Sequence, residues 1–260
     1  MYEPRLYRGA MNLERFRFIR VVYHESDLLL GLPRNTNFPG IEQCIEDELI
    51  RLRKIILDYS KRDPRFLSSL DPLKLLTSSP ETGSGASSET EEELLTMISC
   101  GEKTGTGPMS SVAGLFARGI GRRIIESFGE MELVVENGGD LYLRNKSDLL
   151  SVIHAGSSSL SDKMAFVVPA GEWGICTSSG TMGHSFSRGK ADAVTVICAS
   201  APLADSWATA IANRVQNADD MEQELEIVSA IPEILGCAII VDEQIGIRGL
   251  LEIKLLTSEK

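Results

Sequence analysis

No apolar run in this chain approaches the roughly 20 residues that a membrane-spanning helix needs. Its opening residues, MYEPRLYRGAMNLERFRF, lack the apolar core of a secretory signal. Positive charge is also short. Lys and Arg number 26 against 37 Asp and Glu, a formal charge of −11 that disfavours nonspecific nucleic-acid binding. The five cysteines are widely spaced, with no CxxC and no regular framework, so they read as reduced thiols in a cytoplasm. There is no internal repeat, no P-loop and no dinucleotide-binding fingerprint. The expectation is a cytoplasmic protein with no membrane or nucleic-acid partner. At 43% hydrophobic residues it can build a substantial core, here read as one domain over residues 1–260.

Periodicity supplies the scaffold. Ile41, Cys44, Ile45, Leu49, Leu52, Ile55, Ile56 and Tyr59 share one helical stripe, which predicts a core-facing helix with Cys44 buried. Arg15 to Tyr23 begins as alternating aromatic and Arg residues, a strand with one wet face. Between Leu75 and Glu102 there are six Glu and no Lys or Arg. The stretch Thr77–Glu93 (TSSPETGSGASSETEEE) therefore predicts a flexible acidic insertion, with a short helix over Glu92–Ser99 beyond it. MSSVAGLFARGIGRRIIESF reads as a helix rich in small residues that permit close approach. Strands are expected near Leu149–His154, Met164–Val168, Cys237–Val241 and Leu250–Leu256, with a turn region at Gly246 and Gly249. They do not alternate regularly with helices, so a doubly wound sheet fits poorly.

Chemistry concentrates from Gly174 to Val215. Cys176-Thr177-Ser178-Ser179-Gly180 makes a hydroxyl-rich turn, AVTVICA from Ala193 a buried strand, and ADSWATAIANRV a helix. Asp205 and Thr209, four residues apart, point from one face of that helix. An acid and a hydroxyl one turn apart suit a hard cation whose shell is completed by water and phosphate, although Asp early in a helix is favoured by the dipole alone. Asn137-Gly138-Gly139-Asp140 carries a hairpin signal, and on residues alone a plain turn is the simpler reading.

Together these blocks resemble the ApbE flavin transferases. ADSWATAI resembles their ADALATAL segment, Cys176–Gly180 their ATSG turn, Asn137–Asp140 their N-x-GGD turn, and Phe116-Ala117-Arg118-Gly119 their IAKG. An uncharacterised ApbE-like sister family is closer still, with GPM, VAG, VENGGD, CTSSG, GHS and KADAV in the same order from Gly107 to Val194. The resemblance implies an α+β fold of the T-fold type, with helices packed on a mostly antiparallel sheet. It implies Mg²⁺ at Asp205 and Thr209, with the backbone carbonyl near Ala117. It places FAD or another flavin nucleotide against Asn137, Gly138, Gly139, Asp140, Thr177, Ser178, Ser179 and Gly180. The transferases' H-x-x-D-P segment is replaced by Gly183-His184-Ser185-Phe186-Ser187, which leaves His184 as the general-base candidate.

Two functions follow from the resemblance, and neither settles whether the protein is an enzyme. One is an FAD or pyrophosphate binder, with FMN transfer to a protein acceptor as its catalytic form. The other is a cysteine persulfide carrier or accessory in sulfide assimilation to homocysteine. There Cys176 is the first choice of carrier, Cys100 the second, and a sulfur-transfer protein the partner. A homo-oligomer is compatible with both.

Overall fold

The computed structural model describes residues 14–24, 26–35, 37–75, 88–180 and 188–256, with the backbone alone for 88–91. In chain order the elements begin with β1 (Phe16–Tyr23), β2 (Ser26–Pro33), α1 (Ile41–Ser60), α2 (Arg65–Ser68) and α3 (Ser88–Thr104). A 3₁₀ turn (Pro108–Ser111) leads into α4 (Val112–Phe128). Strands β3 (Leu133–Asn137), β4 (Asp140–Asn145), β5 (Leu149–Val152), β6 (Met164–Val168), β7 (Gly171–Ser178) and β8 (Ala193–Cys198) follow. The chain continues with α5 (Ala201–Arg214), α6 (Asp220–Ser229), β9 (Ile234–Val241), β10 (Gln244–Gly249) and β11 (Ile253–Leu255).

One eight-stranded sheet has the order β1-β2-β3-β4-β7-β8-β9-β10, and a second has the order β11-β6-β5. Every pairing in both is antiparallel. The fold is α+β, as expected. Helices cover one face of the large sheet and the small sheet covers the other. Strand alternation sorts β8 between them: Val194, Val196 and Cys198 pack under α5 and α6, while Ala193 and Ile197 meet the small sheet. A strand covered on both sides needs no polar face, which is why AVTVICA is nearly all apolar.

The α1 stripe is buried as predicted, against α4 and strands β2 and β3. Its expected polar side hides one exception. Glu48 is buried and bonded to Arg51 at 2.7 Å, so the charge goes in with its partner. Cys44 is only half-buried and lies 3.6 Å from the Ser127 hydroxyl.

Other expectations change. Of the acidic stretch 77–93, residues 77–87 lie outside those described, and Ser88–Glu93 belong to α3, which is longer than the helix expected over Glu92–Ser99. Glu93 is held by Arg51 and Arg118, contacts a composition argument has no access to. The expected turn around Gly246 and Gly249 is strand β10, whose Gly246 makes room for Leu225 of α6. His154 stands just past β5, in a loop where its Nδ1 meets Asp162 and the Ser161 hydroxyl.

Candidate functional site

Helix α5 reaches the middle of the sheet because two glycines let it sink. A Cβ at Gly174 of β7 would overlap the Ala201 backbone, and one at Gly114 of α4 would stand 2.6 Å from the Ala201 carbonyl carbon. The start of α5 is thus wedged between a strand and the start of another helix. One turn on, Asp205 is buried, and its Oδ2 accepts the Gly114 N–H at 2.9 Å. Helix α4 has no side-chain cap of its own, so an acid from α5 satisfies amides its own sequence leaves open.

The β3–β4 hairpin closes the site from the other side. Gly138 (φ 73°) and Gly139 (φ 101°) both hold positive φ, as a two-residue turn between twisted strands requires. The buried Glu136 carboxylate accepts the Gly139 N–H at 2.9 Å, and the Asn137 amide donates to the Ala113 carbonyl at 3.3 Å. The hairpin is thereby fastened to the same first turn of α4 that holds Asp205. Asp140 lies directly opposite Cys176 across β4 and β7, both side chains under the helices. The Thr177 amide donates to the Asp140 carboxylate.

Electrostatics single out this cluster. Burial, and then the Asp205 charge, push Asp140 well above the usual carboxylate range. Burial raises Asp205 to about 7, with the α4 amides of Gly114 and Ala113 pulling it back. Among the described residues no Lys or Arg forms an ion pair with either acid. Cys176 is completely buried, its thiol 3.4 Å from the Ala201 carbonyl, and burial followed by the Asp140 and Asp205 charges raises its pKa well above that of a free thiol.

The other expected site residues divide. Thr177 faces the opposite side of the sheet, where its hydroxyl meets Thr195 at 2.9 Å; only its backbone turns toward Asp140. Ser178 returns to the helical side by alternation and is buried. Ser179 and Gly180 are half-buried, and the Gly180 N–H donates to Ala191 at 2.8 Å. Thr209 is half-buried one turn beyond Asp205. Ala117 is sealed in the core one turn beyond Gly114; the α4 groups that meet Asp205 are those of Ala113 and Gly114. His184 lies outside the described residues. Sequence reasoning missed Glu136 and the start of α4, although the glycine of Val112-Ala113-Gly114 already signalled close approach.

The donor set suits a hard cation. It comprises the buried Asp140 and Asp205 carboxylates, with Thr209 one turn from Asp205 on α5. No set of three His, Cys, Asp or Glu is gathered for a metal among the described residues. An ion here would depend on hydroxyl, water and ligand oxygens as well, the usual habit of Mg²⁺.

The family model described as "AbpE bacteria" matches residues 9–228. The UPF0280 protein of Methanocaldococcus jannaschii is 33% identical over 237 residues, spanning 88% of this chain and 89% of that one. The chain belongs to the UPF0280 family of ApbE-like proteins. The UPF0280 protein of Methanothermobacter thermautotrophicus is 36% identical over 213 residues, 80% of this chain and 78% of its own. Among solved structures, the flavin transferase ApbE of Vibrio cholerae superposes with a TM-score of 0.60 at 13% identity, covering 89% of this chain and 96% of that one. The apo flavinyl transferase ApbE of Pseudomonas stutzeri gives 0.59 at 14% identity, covering 92% and 96%. Those superpositions show that UPF0280 and ApbE share a fold. No helix among the described residues is long and apolar enough to cross a membrane.

Proposed function

We propose that this UPF0280 protein binds FAD or a related flavin pyrophosphate together with Mg²⁺, where the β3–β4 hairpin, the start of α4 and helix α5 meet. The observation that carries the reading is the buried pair Asp140 and Asp205, neither of which has a basic side chain paired to it among the described residues. Burying such a pair without a counter-charge is costly, and a hard cation is the partner that offsets it. Family membership and the fold shared with two proteins titled flavin transferases support the ligand class. Bound there, Mg²⁺ would supply neutralising charge for a pyrophosphate.

Asp205 and Thr209 are the metal-side residues in this reading. Asn137, Gly138, Gly139 and Asp140 frame the nucleotide side, where glycines leave the turn bare of side chains. Ser178, Ser179, Gly180 and the Thr177 backbone border the same face. His184 is the base through which binding would become FMN transfer to a protein hydroxyl, by accepting its proton. The persulfide reading gains no support from a buried, high-pKa Cys176, because the thiolate is the reactive form.

Calorimetry of FAD with wild-type protein, with and without Mg²⁺, tests the proposal, alongside a chromatographic assay for AMP. Binding that requires Mg²⁺ and is lost in Asp205→Asn supports it. Equal affinity with and without the metal removes the Mg²⁺ site, and absence of FAD binding removes the ligand class. With a Ser/Thr acceptor peptide present, AMP release by the wild type together with FMN bound to that peptide, both lost in His184→Ala with FAD affinity kept, makes the protein a transferase-type enzyme.

A further inference from the structure

Beside the carboxylate cluster runs a line of hydroxyls that joins the same two helices a second time. The Thr104 hydroxyl donates to the Cys100 carbonyl at 2.9 Å. Thr104 and Thr106 hydroxyls are 2.7 Å apart, Thr106 and Ser110 2.7 Å, and Ser110 and Ser206 2.8 Å. Each hydroxyl has one proton and two acceptor sites. Thr104 spends its proton on Cys100, so Thr106 must donate to Thr104, Ser110 to Thr106, and Ser206 to Ser110. The direction of the whole line is fixed from its far end.

That direction has two consequences. The line ends on a backbone carbonyl, which cannot pass a proton on, so it is a strut and not a proton relay. Ser206 also does not use its proton on the carbonyl one turn back in its own helix, the usual habit of a helical Ser. It is fully buried and reaches a residue 96 positions away. Ser110 lies in the 3₁₀ turn that leads into α4, four residues before Gly114, whose amide holds Asp205. Two successive α5 residues, Asp205 and Ser206, therefore grip the start of α4 at two points. The Ala201 wedge seats the start of α5, and these two contacts one turn on set how its Asp205 side meets α4.

We infer that Ser206 and Ser110 are positioning residues that aim the Asp205 carboxylate, keeping its Oδ2 on the Gly114 amide and holding the group where the proposed cation would meet it. The part concerning the cation rests on the function proposed above. The part concerning Asp205 and Gly114 does not.

The test uses full-length wild type, Ser206→Ala, Ser110→Ala and Ser110→Thr, the last keeping the hydroxyl at a half-buried position. Calorimetry with Mg²⁺ alone and hydrogen exchange of the Gly114 amide at one fixed pH, relative to the other α4 amides, are both measured. The strut predicts Mg²⁺ binding about tenfold weaker in both Ala variants and near wild type in Ser110→Thr. It also predicts that the Gly114 amide, held by Asp205 in wild type, exchanges faster in the Ala variants and at the wild-type rate in Ser110→Thr. If the Ala variants keep both wild-type affinity and wild-type Gly114 exchange, the strut is overturned. If wild type binds no Mg²⁺, the proposed cation site fails instead. The Gly114 exchange alone then decides the strut: faster exchange in the Ala variants supports it, an unchanged rate overturns it.

Discussion

Gly174 and Ala201 are in direct backbone contact, with no room for a Cβ between β7 and the first residue of α5. Gly114 touches the other side of the same residue, a Cβ there standing 2.9 Å from the Pro202 nitrogen. Because these neighbours are backbone, no side chain can rotate away to accommodate a methyl group. Gly174→Ala and Gly114→Ala should each destabilise the protein by about 1–3 kcal/mol, the range for overpacking a filled core. Denaturant unfolding measures this, and a loss below about 0.5 kcal/mol would show that the wedge gives way easily.

The buried acid on α5 sets a pH dependence whose sign can be worked out. Asp205 has its folded pKa raised from 3.8 to about 7. Between those values the folded protein holds a proton that the unfolded chain has lost. Stability is therefore highest below about pH 4 as far as this group is concerned, and falls as pH rises through about 7. Asp205→Asn keeps an oxygen for the Gly114 amide but removes the charge. Metal-free Asp205→Asn should melt higher than wild type at pH 8, with the two converging toward pH 4. Added Mg²⁺ should reverse the order at pH 8 by stabilising wild type alone. Melting curves at the two pH values, with and without Mg²⁺, check both halves; a variant that melts lower than metal-free wild type at pH 8 contradicts the sign.

How much of this was legible beforehand depends on range. The α1 stripe, the Asn137–Asp140 hairpin and the AVTVICA strand were readable because each is a local pattern: a period of 3.6, a turn, or a short β-branched apolar run. The order of the sheet was not, since β2 pairs with β3 across about a hundred residues and nothing local encodes that partnership. Asp205 and Thr209 could be chosen from their spacing. That Asp205 caps α4 could not, because the amide belongs to Gly114, far earlier in the chain. Strand β10 was missed because Gly246 and Gly249 look like turn residues, and one of them is a glycine to admit Leu225. Thr177 was grouped with its neighbours as a ligand contact, yet alternation turns its hydroxyl to the far face, onto Thr195.

Glu136 separates charge from geometry at the hairpin. Its carboxylate accepts the Gly139 amide and also adds to the repulsion that raises Asp140. Glu136→Gln keeps an acceptor for the turn and removes its share of the repulsion, so the Asp140 pKa should fall somewhat but stay raised by burial and the Asp205 charge, with little change of fold. Glu136→Ala leaves the Gly139 amide without its partner and should cost about 1–3 kcal/mol. Carboxyl titration by NMR and denaturant unfolding of the two variants distinguish the roles. An unmoved Asp140 in Glu136→Gln would mean that burial and the Asp205 charge raise it without help from Glu136.

The cysteines give the sharpest contrast between the two functions. Cys100, Cys176, Cys198 and Cys237 are buried, and Cys44 alone is half-exposed. Burial also raises the buried thiols, Cys100 to about 11 and Cys237 to about 12, so thiolate is scarce at neutral pH. Cys176 is disfavoured further, because forming its anion beside Asp140 and Asp205 would gather negative charge in one buried site. Native protein treated with an alkylating reagent at pH 7.5 should therefore be modified at Cys44 first. The other four should react only on a timescale set by opening of the fold, and fully in denaturant. Peptide mass spectrometry against time reads this directly. A persulfide carrier must expose its sulfur to a partner, so rapid labelling of Cys176, or an added sulfur mass on its peptide, would reinstate that function. Cys176→Ser offers the complementary measurement: if FAD and Mg²⁺ binding survive it unchanged, the thiol is packing beneath α5.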